Sequence, residues 1–317
     1  MSDTMPKVLL APNEQIEFDS EHLKWPLLGS RKYDGNRNVI LAGEFRTRSM
    51  KFQANVLLGR HFKEIVEYAK SMGTVFDGEL WSPSLTFTQL QEIVRARSVS
   101  IPDHVGFYVF DVMTKTQWVD GGEGVYRYRN ETLREILEKF KFPRVFHVEQ
   151  EEMTTPEEAE KAFDDFLTEG YEGLMLRSAD GLYKHNRATH REGIIFKFKN
   201  FRTDDAQIVG ATEMQKMKAE VRHGERERDV QGHLKRTHKQ EDYEPADTIG
   251  SLIVKMKNGV EVGIGLGKRD SMEKKKIWEQ YKRGELVGKW VEFSWMPHGT
   301  KDKPRIGKLE RFRPDLD

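Results

Sequence analysis

Residues 30–40, SRKYDGNRNVI, place Lys32, Asp34, Gly35 and Arg37 within six positions, just ahead of the apolar run Val39, Ile40 and Leu41. Alone, such a cluster is as readily a charged turn as a site. Related stretches recur along the chain. FDGEL sets Glu79 at what reads as a strand mouth, YVFD puts Phe110 beside Asp111, EGLMLR opens a strand on Glu172, and FKFK alternates phenylalanine with Lys197 and Lys199. Strand alternation sends the two lysines to one face and Phe196 and Phe198 to the other. Amines aimed into one pocket repel unless an anion lies between them. A solvated face over buried phenylalanines would account for Lys197 and Lys199, but not for Lys32, Glu79 and Glu172 at separate strand ends.

This set suits phosphoryl chemistry. A lysine amine attacks the α-phosphorus of a nucleoside triphosphate and expels pyrophosphate only as the free base. An unperturbed lysine titrates near ~10.4, so the site must lower that value, and neighbouring cations or a bound divalent metal do so. Carboxylates such as Glu79 and Glu172 hold the metal or bind ribose hydroxyls. Phe110 offers a face for a base, and the basic groups neutralise phosphates and the charge that develops in transfer.

The elements that must position these groups follow from periodicity. Residues 28–48 read as a hairpin with its turn at Ala42, Gly43 and Glu44. Val56, Leu57, Phe62, Ile65, Val66 and Ala69 recur at helical spacing up to Gly73. TVFDGELW reads as a strand, TFTQLQEIVRARS as a helix opened by Thr86 or Thr88, and VGFYVFDVM as a buried strand. Helices are expected over 127–141 and 155–169, then strands in EGLMLRS and GIIFKFKN. Strands and helices do not simply alternate, so residues 1–203 read as mixed α and β. From Asp204 to the end, several strands, an Asn258-Gly259 hairpin turn and one helix in MEKKKIWEQYKRG predict a small OB-fold β-barrel over 204–317. The polar stretch NFRTDDA between them reads as a linker. GIGLGKRD is one residue short of a phosphate-binding GxxxxGK loop and reads as a barrel strand leading into that helix.

A charged insertion is expected at about 213–246. Residues 213–244 hold eight Lys/Arg and eight Asp/Glu with few large apolar side chains, too little to offset the entropy of folding alone. Its His223, His233 and His238 lack the ligand spacing of a metal site. The whole chain of 317 residues is 33% charged and 37% hydrophobic, with 52 basic and 52 acidic side chains. A net charge of zero argues mildly against a nucleic-acid partner, although a neutral total hides local patches. No apolar run spans a bilayer, so no membrane partner is expected. The N-terminus does not read as a signal peptide. The absence of cysteine excludes disulfides and thiolate metal sites and is compatible with a reducing, cytoplasmic setting.

Taken in order, Lys32-Tyr33-Asp34-Gly35-x-Arg37, Arg48-Ser49, FDGEL, YVFD, Glu172-Gly173 and Lys197-x-Lys199 resemble the ATP-dependent DNA ligases of the covalent nucleotidyltransferase superfamily, in their short two-domain phage and bacterial form. The resemblance covers nearly the whole chain. It implies the α+β class, an adenylation domain of antiparallel sheets with flanking helices followed by the OB-fold, with Lys32 as the residue that becomes lysine–AMP. It implies that Arg37 and Arg48 contact the 5′-phosphate of the nick or the ribose and phosphate of the nucleotide. Glu79 would contact ribose or metal, Phe110 would stack on adenine, Glu172 would support the metal, and Lys197 and Lys199 would grip the α-phosphate. RFRPD resembles the last family motif, with Arg311, Arg313 and Asp315 directed at the leaving pyrophosphate. Leu316 stands where relatives often carry a basic residue, and Ser30 where they often carry Glu. The expected cofactors are ATP and Mg2+ (or Mn2+), and the expected partner is nicked double-stranded DNA bound by a monomer. Lys216, Lys218, Arg222, Lys235 and Arg236 of the insertion are expected to touch its phosphates. The setting would be the cytoplasm of a bacterial cell or a phage-infected host. An RNA-capping guanylyltransferase or an RNA ligase of the same superfamily is the alternative. The NAD-dependent ligases are disfavoured, because only 31 residues precede Lys32 and there are no cysteines for their zinc finger. A binding-only OB module is disfavoured by the intact Lys32.

Overall fold

The computed structural model describes residues 5–120, 124–223, 240–296 and 304–316. By internal contacts the chain divides into two units, Met1–Asn200 and Phe201–Asp317. The first begins with β1 (Leu9–Leu10), β2 (Leu27–Lys32), β3 (Asn36–Leu41), β4 (Glu44–Thr47), α1 (Leu58–His61) and α2 (Lys63–Met72). It continues through β5 (Thr74–Trp81), α3 (Phe87–Arg95), β6 (Gly106–Thr114), α4 (Lys115–Asp120) and α5 (Tyr126–Phe140). It ends with β7 (Val145–His147), β8 (Glu151–Met153), α6 (Pro156–Thr168), β9 (Gly173–Arg177), β10 (Asn186–Arg187) and β11 (Ile195–Lys199).

Two sheets carry this unit. One has the order β4-β3-β5-β6-β7 and the other β11-β9-β2-β8, while β1 and β10 form a separate parallel pair. The pairing is antiparallel except for β6 with β7. Each sheet buries its outer face under helices. Phe76, Leu80, Phe107 and Val109 pack with residues of α2, α3 and α5, and Leu27, Leu174, Phe196 and Phe198 pack with Ala159 and Phe166 of α6. A third cluster joins residues of both sheets, among them Val39, Leu41, Val75, Met113 and Ile195.

Local chemistry sets the element ends. Thr86 closes a capping box with Gln89 at the start of α3, and Thr155 caps α6 ahead of Pro156. Gly73 ends α2 in the left-handed region. Ala42 and Gly43 both have positive φ, the geometry of a two-residue hairpin turn between β3 and β4.

Three expectations are corrected here. Residues 28–48 are not one hairpin: β2 and β3 belong to different sheets, and the chain crosses between them at residues 33–35. The partners of β2 are β9, about 140 positions on, and β8, and no local pattern reveals such pairing. Glu79 lies inside β5, not at its mouth. Val56 precedes α1 and is exposed, so it is not part of the helix's apolar face. Strands β1, β7, β8 and β10 are only two or three residues long, too short for a periodic signal.

The second unit comprises β12 (Arg202–Met217), α7 (Ala219–His223), β13 (Tyr243–Met256), β14 (Glu261–Ile264), α8 (Ser271–Lys282), β15 (Trp290–Met296) and β16 (Arg305–Phe312). Its five strands run β14-β13-β12-β15-β16, all antiparallel, around Ile208, Leu252, Val254, Ile264, Phe293 and Leu309, with Trp278 of α8 packed against them. This is an OB-like arrangement, but among the described residues the barrel has no continuous closing ladder. Its edges meet at one parallel bridge, where the Gly265 N–H donates to the Gly307 carbonyl and the Leu309 N–H to the Gly265 carbonyl, both at 2.8 Å. A Cβ on Gly307 would lie 2.7 Å from Ile264, so that seam tolerates no side chain there. Arg269 of GIGLGKRD donates to the carbonyls of Leu266, Leu309 and Glu310 and fastens the same seam.

The polar stretch expected as a linker enters β12 at Arg202, where it pairs with β15. The ends expected in the charged insertion are likewise strand: Glu213 pairs with Ile249 and Met217 with Tyr243. Residues 224–239, with Lys235, Arg236, His233 and His238, lie outside the described residues. Among the described residues no helix is long and apolar enough to cross a membrane.

The crossing at residues 33–35 generates a prediction. A Cβ on Gly35 would sit 2.1 Å from the Leu80 carbonyl oxygen and 2.8 Å from Glu79 Cγ. Gly35→Ala should therefore lower stability by about 1–3 kcal/mol, read as a lower urea midpoint. An unchanged midpoint would mean that the crossing is not tightly packed against β5.

Candidate active site

Alternation along β2 buries Leu27 in the outer core and sends Arg31 outward to Glu169 and Glu151, its guanidinium 4.4 Å from the Phe166 ring centroid. Lys32 therefore faces the space between the sheets. The Glu172 N–H donates to the Lys32 carbonyl at 2.9 Å, the last rung before β9. This brings the Glu172 side chain alongside Lys32. Its Oε2 accepts from Lys32 Nζ and its Oε1 from Lys199 Nζ, so one carboxylate, only 4% exposed, bridges two amines. Burial pushes the Glu172 carboxyl up, but the charges and hydrogen bonds of Lys32 and Lys199 outweigh it and hold the pKa below the usual value.

On β11, Phe196 and Phe198 are buried in the outer core while Lys197 and Lys199 face inward, as the alternation requires. Burial, with the charges of Lys199, Arg187 and Lys32 added, lowers Lys197 to about 8. Burial and Lys32 also lower Lys199, against the pull of Glu172.

The larger sheet supplies the opposite wall. Arg37 on β3 stands across from Glu79 on β5. Its guanidinium grips Asp77 in bidentate fashion at 2.7 and 2.6 Å and also donates to the Leu9 carbonyl. Asp77, fully buried, accepts a further bond from the Tyr183 hydroxyl at 2.6 Å, and that hydroxyl accepts from the Leu9 N–H. Burial raises Glu79 to about 8, and the nearby charges of Lys32 and Arg37 offset this only in part.

Phe110 owes its direction to a β-bulge. Asp77 pairs with Asp111 and Gly78 with Val109, which leaves Phe110 as the extra residue of β6. The bulge lets both Phe110 and Asp111 face the smaller sheet. The Phe110 ring lies 4.5 Å from the Arg37 guanidinium, and Asp111 is held by Arg129 and by Arg177 of β9.

Lys32, Arg37, Glu79, Phe110, Glu172, Lys197 and Lys199 thus all face the space between the two sheets. Arg48 does not join them: it is exposed in the turn after β4. Arg311 and Arg313 belong to the second unit, where Arg311 pairs with Glu292 and Arg313 with Asp205, Glu292 and Asp315. Lys216 pairs with Glu244, and the Lys218 N–H donates to the Asp242 carbonyl. Arg222 lies on α7. Tyr183, Arg129 and Arg177 escaped sequence reasoning. Arg177 stood at the end of EGLMLR, where a charge in an otherwise apolar strand was the available signal, whereas Tyr183 carried none.

The described residues contain no group of three or more His, Asp or Glu that would cage a metal. The donor set still fits Mg2+, which takes one or two carboxylates and completes its shell with substrate phosphates and water. Glu79 has no hydrogen-bond donor among the described residues, so its oxygens are open to a ligand.

A two-sheet unit with a lysine–carboxylate–lysine bridge on the inner face of the smaller sheet, followed by an OB-like sheet, fits the covalent nucleotidyltransferase class. A family model of the ATP dependent DNA ligase domain matches residues 14–199. Among solved structures, Chlorella virus DNA ligase-adenylate aligns with a TM-score of 0.51 at 24% identity, over 98% of this chain and 100% of that one. A structure titled Pmar-Lig_Pre aligns with a TM-score of 0.73 at 19% identity, over 98% and 68%. A Lig E DNA ligase, from a study of DNA binding with a minimal scaffold, gives 0.65 at 21%, over 96% and 100%. No curated protein matches. The structural likenesses establish the fold, and the family model covers more than half of the chain. The chain belongs to the ATP-dependent DNA ligase family. It binds ATP and DNA and forms phosphodiester bonds through a covalent AMP intermediate, and it is the match to the DNA ligase family that decides against a capping guanylyltransferase or an RNA ligase.

Glu79 yields a pH prediction. Its folded pKa of about 8 lies above the ordinary 4.5, so between these values the folded state holds a proton that the unfolded state has lost. Stability from this group is full below pH 4.5 and falls as pH rises through 8. The melting temperature of Glu79→Gln relative to wild type should therefore increase from pH 5 to pH 8. A difference that stays constant with pH would contradict the assignment.

Proposed function

We propose that Lys32 is the nucleophile of this ligase and that its substrate is nicked duplex DNA, sealed by a monomer in the cytoplasm of a bacterial cell or a phage-infected host. The observation that carries the reading is the bridge from Glu172 to Lys32 and Lys199. It holds one amine at the end of β2, beside a second amine suited to an α-phosphate.

In the first step the free Lys32 amine attacks the α-phosphorus of ATP. An N–P bond forms, the bond to the bridging oxygen breaks, and pyrophosphate departs. AMP then passes to the 5′-phosphate of the nick, regenerating Lys32, and the 3′-hydroxyl finally attacks that 5′-phosphate and expels AMP. Lys197 and Lys199 flank the α-phosphate and stabilise its developing charge. Lys197, with a pKa of about 8, remains largely charged at neutral pH and can do so. Phe110 stacks on adenine, with the Arg37 guanidinium fixing the ring from one side. Glu79 accepts from the ribose hydroxyls or, with Glu172, holds Mg2+ (or Mn2+), which when bound neutralises the triphosphate. Arg37 and Arg48 serve the ribose, the phosphate or the 5′-phosphate of the nick. Arg311 and Arg313 orient the leaving pyrophosphate once the second unit closes on ATP, and reopening lets it clamp DNA. Lys216, Lys218, Arg222, Lys235 and Arg236 add phosphate contacts.

Incubation with labelled ATP in the absence of DNA tests the reading. Wild type should acquire covalent AMP and Lys32→Ala none, while Lys32→Ala still folds, read as a cooperative melting transition, and still seals a pre-adenylated nick in part. A Lys32→Ala protein that still takes up AMP would remove Lys32 from the mechanism.

A further inference from the structure

Four aromatic rings that the proposed steps leave unused cluster beside the site. The Tyr33 ring lies 4.6 Å from Tyr108, 5.1 Å from Trp81 and 5.2 Å from Tyr171, the last two edge-on. Trp81 lies 5.3 Å from Tyr108 and 5.7 Å from Tyr171, which closes the cluster on itself. These separations are those at which aromatic pairs attract beyond their simple burial. A fifth ring, Phe146 of β7, stacks on Tyr108 at 4.9 Å. Gly106 makes room for this contact, since a Cβ there would meet the Phe146 ring at 2.7 Å and the Tyr108 ring at 2.9 Å.

The sequence positions of the four rings are informative. Tyr33 follows Lys32 directly and Tyr171 directly precedes Glu172. Trp81 lies two residues beyond Glu79 on the same face of β5, and Tyr108 is the cross-strand partner of Glu79. Each of Lys32, Glu79 and Glu172 is therefore tied within two residues, or across one rung, to a ring that touches the other rings. The rings come from both sheets: Tyr33 leaves β2, Tyr171 enters β9, and Trp81 and Tyr108 stand on β5 and β6. Among the described residues the Tyr33 and Tyr171 hydroxyls make no hydrogen bond, so ring packing holds the cluster.

We propose that Tyr33, Trp81, Tyr108 and Tyr171 form a positioning clamp that fixes the Lys32 amine relative to Glu79 and Glu172 for attack on ATP. This rests on the reading of Lys32 as nucleophile. The rings do not touch the reacting atoms. They set the distance between strands of different sheets, and a displacement of about 1 Å at a reacting group costs on the order of 100-fold in rate.

Single-turnover formation of lysine–AMP by the full chain, across a range of ATP concentrations, tests the clamp. Tyr33→Leu and Trp81→Leu should slow the step by roughly 10- to 100-fold at saturating ATP, with the half-saturating ATP concentration changed less than about threefold. Tyr33→Phe, which keeps the ring, should restore a rate within about twofold of wild type. Sealing of a pre-adenylated nick, which does not use the Lys32 amine as nucleophile, should fall far less than adenylation. If Tyr33→Leu does not fold, Trp81→Leu and Tyr171→Leu carry the same comparison. Wild-type adenylation rates in the leucine variants would overturn the clamp. So would equal losses in adenylation and pre-adenylated sealing, or a Tyr33→Phe as slow as Tyr33→Leu. Lys32→Ala, run alongside, separates the two ideas: covalent AMP on that variant refutes the nucleophile assignment itself, whereas its absence together with an unaffected Tyr33→Leu refutes the clamp alone.

Discussion

The carboxylate of Glu172 is shared between the amines of Lys32 and Lys199, and much of the first unit exists to make that sharing possible. Asp77 and Asp111 are taken up by arginines, so Lys32, Lys197 and Lys199 crowd together with few carboxylates of their own. One buried carboxylate lowers that cost, and removing one partner of such a buried cluster is expected to cost about 3–5 kcal/mol. Glu79 does not substitute for it, because burial keeps it protonated up to a pH of about 8. The resting site therefore retains an excess of positive charge. This is the condition in which a triphosphate, alone or with a divalent cation, is a welcome guest.

Holding Lys32 and Glu172 side by side requires β2 and β9 to be neighbours, and presenting Glu79, Arg37 and Phe110 to them requires a second sheet opposite. The chain meets both demands by leaving the smaller sheet immediately after Lys32 and entering the larger one at Asn36. Each sheet hides its outer face under helices, which leaves the inner faces for chemistry. Two local irregularities refine the arrangement. The bulge in β6 turns Phe110 and Asp111 to the same side, and the Asp77–Tyr183–Leu9 network holds Arg37 against the Phe110 ring.

Much of this was legible in the sequence where the signal was local. The alternation in FKFK set the inward direction of Lys197 and Lys199, Thr86 marked a helix start through its capping box, and Asn258-Gly259 marked the hairpin between β13 and β14. Lys32, Glu79 and Glu172, singled out by residue type, are brought within electrostatic reach of one another by the fold. What escaped depends on contacts distant in sequence. The assignment of β2 and β3 to different sheets is fixed by pairing with β9 and β5, and nothing in residues 28–48 encodes it. Tyr183 reaches Asp77 across 106 positions, and the aromatic cluster gathers rings from four segments. Charge counts misled at the insertion, because Glu213 to Met217 are held by pairing with β13 despite their polarity.

The central claim is that position selects the nucleophile, ahead of basicity. Lys197, with its pKa near 8, offers an amine in the same space. Lys32 and Lys199 both end strands at Glu172, and the charge of Lys32 acts on Glu79 as well. The most direct measurement is peptide mapping by tandem mass spectrometry of the wild-type protein after reaction with ATP, locating the modified side chain. AMP on Lys32 alone is the result this account predicts, and AMP on Lys197 or Lys199 would contradict it.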